Sequence, residues 1–177
     1  TPADGETASE KVYVSNDGAV ESTVLEVLSR HLRKRREKTD HREAVTQDVS
    51  DDQLWCDCTI DLHDAVITER ASLTGVTLAS DVSFQGATFN TFAIFRGASF
   101  DAHVTFRGAT FNADTQFWGA TFNADTSFSG ATFNANTHFE HATFNANTHF
   151  QDATFNSNTH FQDATFNANT YFQDATF

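Results

Sequence analysis

Apolar and polar positions alternate along this chain in a fixed rhythm. Phe recurs at Phe84, Phe89, Phe95, Phe100, Phe106, Phe111, Phe117, Phe122, Phe128, Phe133, Phe139, Phe144, Phe150, Phe155, Phe161, Phe166, Phe172 and Phe177. The spacing is five, then six, then five again, without a break, and Phe92 alone stands outside the series. Stepping back from Phe84 by the same intervals meets Leu78, Leu73, Ile67, Leu62 and Cys56. That makes 23 apolar positions in one register, with a period of 11 residues split into unequal halves. A tandem array over residues 54–177 is therefore expected, preceded by a segment over residues 1–53.

A second regular site lies two residues before each of these positions. It is Ala on the short halves, as at Ala87, Ala109 and Ala131, and Val or Thr on most long halves, as at Val82, Thr115 and Thr137. Residues two apart share one side of an extended strand. Each half thus reads as a short strand with a small residue and a Phe pointing inward and a polar residue between them pointing out. The corners are legible as well. Gly75, Gly86, Gly97, Gly108, Gly119 and Gly130 occupy one repeat position, which His141, Asp152, Asp163 and Asp174 take later. Gly and Asp tolerate the left-handed backbone that a tight corner needs. The additional residue of the long half is Asp114, Asp125, Asn136, Asn147, Asn158 or Asn169, and a left-handed turn is expected there too.

Three helical turns also span 11 residues, but units such as Thr159–Asn169 are poor in helix formers and rich in Thr, Asn and Phe. A coil of 11 would crowd two Phe into a very thin cross-section, whereas a coil of 22 has four sides with one Phe on each. The spacing predicts 22, so five to six coils form a rod roughly 25–28 Å long at the usual strand separation. Leu78, Phe100, Phe122, Phe144 and Phe166 would form one stack and Phe89, Phe111, Phe133, Phe155 and Phe177 another. The structural core is expected to be Leu78 and the Phe series from Phe84 to Phe172.

The five-residue unit, in which a small inward residue, a polar residue, a central Leu or Phe and two polar residues follow one another, resembles the pentapeptide repeat. Ala153–Ser157 and Thr159–Asp163 both match, with one residue inserted in every second unit. The resemblance implies an all-β fold, a right-handed quadrilateral β-helix with central residues stacked inside. It also implies that biochemistry is mostly unassigned in the family, whose best-understood members resemble duplex DNA and protect type II topoisomerases.

Charge narrows the partners. The net charge is −13. Residues 54–177 carry 12 acidic and 3 basic residues, a net of −9. Such a surface disfavours direct contact with nucleic acid or anionic membrane and suits solubility, a high-salt cytoplasm or a basic partner protein. No apolar run approaches membrane-spanning length, and no signal peptide is visible. Cys56 and Cys58 are too close to bridge readily, and two ligands do not make a zinc site, so a reducing, cytoplasmic setting is expected. The chain stops on Phe177 in mid-pattern and reads as a fragment, so pairing of two copies through an open solenoid end is expected. Upstream, residues 1–10 read as disordered, and Val20, Val24, Leu25, Leu28 and Leu32 recur at helical steps over 18–38. The basic run Arg30 to Lys38 closes that short N-terminal α-helical appendage, and a polar linker follows over 39–53.

Nothing in the chain resembles a nucleophile–base pair, a phosphate loop or a metal motif. His138 and His160 should stack about 5 Å apart, with His149 on the opposite side and His141 at a corner, all following the repeat. No catalytic, cofactor-binding or metal site is expected. The expected function is a non-enzymatic structural or protein-interaction module, a rigid acidic rod displaying polar ladders to another protein. DNA mimicry toward a type II topoisomerase is the alternative, although Asp152, Asp163 and Asp174 would alternate between opposite sides. An ice-binding ladder of Thr132, Thr143, Thr154, Thr165 and Thr176 is the remoter one, with two or three Thr expected in each column.

Overall fold

The computed structural model describes residues 58–177. The expected disordered start, helix, linker and array start at Leu54 lie outside the described residues. Within them the chain is a four-sided parallel β-solenoid of about five coils, with no helix. Every strand is two residues long, from Ile60–Asp61 to Thr170–Tyr171. Val, Ile, Thr and Phe suit such strands because their bulk near the backbone packs well on a pleated, half-buried surface.

Four sheets make the four sides, each strand pairing with the one 22 residues away. The first side holds Ile60–Asp61, Val82–Ser83, Val104–Thr105, Thr126–Ser127, Thr148–His149 and Thr170–Tyr171. The second begins at Val66–Ile67, the third at Ala71–Ser72 and the fourth at Thr77–Leu78. On the second side Phe111 pairs with Phe89 and Phe133. The six-residue halves build the first and third sides, and the five-residue halves build the second and fourth.

The register stacks the rings. Phe122 and Phe144 lie 4.7 Å apart with planes 1° from parallel, and Phe106 and Phe128 lie 5.0 Å apart at 1°. Sheet spacing imposes this face-to-face geometry, although isolated rings prefer offset or edge contacts. The preferred edge contacts run across the interior: Phe117 meets Phe106 and Phe128 at 5.5 Å, at 78° and 79°. The first and third sides therefore interlock through the centre. The twelve rings from Phe84 to Phe144 in this series are fully buried, as is Leu78. Each buried Phe contributes about 1.5–3 kcal/mol gross, much of it offset by backbone ordering.

Buried Thr115, Thr126, Thr137 and Thr148 occupy the small inward site of the long halves. Their hydroxyls donate to the carbonyl two residues earlier, for example Thr126 to Ala124 at 3.1 Å. A buried hydroxyl without an acceptor would cost about 1–3 kcal/mol, so this local bond is what admits Thr beside the rings.

One expectation is corrected. Positive φ occurs at all six corner glycines and at Asp64, His141, Asp152, Asp163 and Asp174, but not at the additional Asn or Asp of the long halves. At two positions of this kind, Asp81 and Asp125, the side chain bonds the next coil instead. Asp81 Oδ1 accepts the His103 backbone N–H, and Asp125 Oδ1 accepts that of Asn147, both at 3.1 Å and one coil on. Phe161 and Phe166 are partly buried and Phe172 is 38% exposed. Phe172 still stacks on Phe150 at 4.9 Å.

Candidate interaction surface

Outside the core, each side displays two columns, from the residues flanking the inward Phe. On the second side one column is Val66, Thr88, Thr110, Thr132, Thr154 and Thr176. The other is an amide ladder in which Asn112 donates to Asn90, Asn134 to Asn112 and Asn156 to Asn134, at 2.8–2.9 Å. The fourth side carries Thr77, Ser99, Thr121, Thr143 and Thr165. Beside them Asn123 donates to Asp101, Asn145 to Asn123 and Asn167 to Asn145, at 2.7–2.8 Å. The Thr columns hold five and four Thr, longer than expected, because Thr88, Thr110, Thr77 and Thr121 join the same registers. The amide ladders satisfy their own donors from coil to coil.

The third side departs from this uniform dressing. Its outward residues are Ser72, Ile94, Gln116, His138 and His160 in one column. Two residues further on stand Thr74, Arg96, Trp118, Glu140 and Gln162. Ile94 points away from the core yet is only 6% exposed, because neighbouring outer side chains cover it. Trp118 is 43% exposed, and the Arg96 guanidinium lies 5.0 Å from its ring centroid. On its other side Trp118 meets His141 edge-on at 5.3 Å. Arg70, Thr74, Ile94, Arg96, Gln116 and Trp118 line a shallow depression of about 440 Å³. Phe92, at the corner leading into this side, is 47% exposed. Two of the three basic residues of the array are here, and neither Arg70 nor Arg96 forms an ion pair among the described residues.

The histidines fall where the period puts them. His138 and His160 stack at 5.0 Å, His149 lies on the first side stacked on Tyr171 at 4.9 Å, and His141 occupies a corner. His138 Nδ1 lies 3.0 Å from Glu140 Oε1. Burial pushes the Glu140 carboxyl up. The His138 hydrogen bond, a backbone hydrogen bond and the charges of His138 and His160 outweigh it, and hold the group below its ordinary value. Among the described residues no three His, Cys, Asp or Glu side chains converge as a metal site. Cys58 is a free, exposed thiol.

The Arg96–Trp118 pair and the covered Ile94 are not singled out by the periodicity, although each breaks it. Trp118 takes the position held by Thr74, Arg96, Glu140 and Gln162 in other coils, and Ile94 is an aliphatic residue in an otherwise polar outward column. The signal was the mismatch with neighbouring repeats, and Phe92 gave it too. Only the 22-residue register shows that these mismatches share one side.

A family model for pentapeptide repeats, nine copies long, matches residues 62–110, 106–154 and 128–176. No curated protein and no solved structure matches the chain.

Proposed function

Because the chain belongs to the pentapeptide-repeat family, we propose that it is a non-enzymatic interaction module, a rigid acidic rod that engages another protein through its third side. The observation that carries this reading is the exposed Trp118, held by Arg96 beside the covered Ile94, on a side that departs from the Thr columns and amide ladders of the second and fourth sides. Trp and Arg are enriched among the residues that anchor protein interfaces, Trp because its rigid ring buries a large area and Arg because its planar fork of donors is preorganised. A rigid array suits this role, since little conformational entropy is lost when a preformed surface binds.

The test is site-specific photocrosslinking in a lysate of the source cells. A crosslinker at position 118 should capture one identifiable protein, and the same group at Thr132 should not. Loss of that adduct on Arg96→Glu would support the reading. Equal capture from both positions, or none from position 118, would refute it. Among the described residues no helix is long and apolar enough to cross a membrane.

A further inference from the structure

Resting on that reading of the third side, we infer that its ligand is an acidic peptide segment carrying an apolar or aromatic side chain next to its carboxylates. Three independent features point to this chemistry. First, the described residues contain only Arg70, Arg96 and Arg107 as permanent cations, and two of them line one depression. A guanidinium presents a planar fork of donors that matches a carboxylate, and those of Arg70 and Arg96 have no carboxylate partner among the described residues. Secondly, the depression has an apolar wall in the exposed ring of Trp118, with Phe92 exposed at the preceding corner and Ile94 already buried beneath the lining side chains. A purely charged ligand would leave that surface in water, whereas an aliphatic or aromatic side chain covers it. Thirdly, the rest of the described surface is acidic and repels anions, and among the described residues Arg70 and Arg96 are the two permanent cations that share one depression. Like charge around the Arg70 and Arg96 patch also disfavours long polyanions such as duplex nucleic acid, which would overrun the patch and meet the acidic sides.

The polar groups around the depression sharpen the expected contact. Gln116 and Thr74 offer neutral partners that a peptide backbone can use, as an amide and a hydroxyl each donate and accept. Glu140 limits the site on the C-terminal side. It is partly buried, and its Oε1 is engaged by His138 while its Oε2 has no hydrogen-bond partner. The ligand carboxylates therefore belong over Arg70 and Arg96, with the apolar side chain against Trp118.

A displayed library of random dodecapeptides, selected on the full chain and counter-selected on a Trp118→Ala variant, tests this. Enriched peptides should carry Asp or Glu within two positions of Leu, Ile, Phe or Trp. A synthetic copy of an enriched peptide should bind more weakly by at least about tenfold to Arg96→Glu and to Arg70→Glu, and should weaken with added salt. Both variants lie on the exposed surface, and unchanged circular dichroism would verify the fold. Enriched peptides that are basic or neutral, no enrichment at all, or affinity indifferent to both charge reversals would each overturn the inference. If position 118 still crosslinks one protein while the selected peptides are not acidic, the interaction reading stands and only the ligand chemistry fails.

Discussion

At the scale of single residues, position within the coil decides what a side chain is worth. Phe117 is fully buried, stacks on Phe95 and Phe139 at 4.9 Å and meets two further rings across the interior. Phe117→Ala should lower the free energy of unfolding by about 3–5 kcal/mol. Phe172→Ala, on a ring already 38% exposed, should cost well under half of that, as urea titrations of the two variants would show. Corner residues are governed by backbone rather than packing. Gly119 has φ of 62° and open space around an added Cβ. Gly119→Ala should therefore cost about 1 kcal/mol from conformation alone, and Gly119→Asn distinctly less. Equal losses would mean that contacts, not φ, set the preference. The Glu140 carboxyl is held below its ordinary value. A group whose folded pKa is depressed contributes stability above its unfolded pKa and loses it as pH falls through the folded one. At pH values above the ordinary carboxylate range, wild type should therefore melt at a higher temperature than Glu140→Gln, and the gap should close as pH falls through that range and below it. A gap that persists at the lower pH would show that the carboxylate charge is not its source.

At the scale of the element, no strand stands alone. Two residues and their rung hydrogen bonds cannot offset their own ordering, so each strand is stable only between its neighbours. The amide ladders make the same point on the outside. Asn134 both donates to Asn112 and accepts from Asn156, whereas Asn156 only donates to Asn134. A net hydrogen bond contributes about 0.5–1.5 kcal/mol, nearer the lower end when exposed. Asn134→Ala should cost about 1 kcal/mol and Asn156→Ala about half as much, measurable as a difference in urea midpoint. Similar losses at both positions would show that the ladder is not additive along the column.

At the scale of the whole molecule, the alternation of five and six gives the rod an approximate two-fold relation between opposite sides. Removing the eleven residues Asn123–Phe133 should leave a folded solenoid, because a long side still follows a short one. It would carry His138 and Glu140 from the third side to the first, away from Trp118. Removing five residues, Phe128–Thr132, should disrupt packing, since two long halves would then follow one another and later rings would miss their columns. Circular dichroism and cooperative unfolding would report both outcomes; a well-folded five-residue deletion would show that side length is not fixed by the stack. The interior edge contacts between the first and third sides explain why half-coils, rather than single sides, are the interchangeable unit.

The period, the inward and outward assignments, the glycine corners and the 22-residue coil were all legible in the amino-acid sequence. They depend on local chemistry that recurs unchanged: a Phe needing burial, a small residue beside it and a corner tolerant of positive φ. The conformation at Asp125 and its relatives was not legible, because Asp and Asn suit both a left-handed turn and a side-chain bond to the next coil. Only the stacked coils supply the backbone N–H that chooses between them. The Arg96–Trp118 surface escaped for a related reason. Arg70, Ile94, Arg96 and Trp118 are scattered over about two coils, more than four of the 11-residue periods, and each looks like an isolated exception when read along the chain. Parallel stacking converts a separation of 22 residues into one strand spacing, and that conversion alone brings them onto one side of the rod.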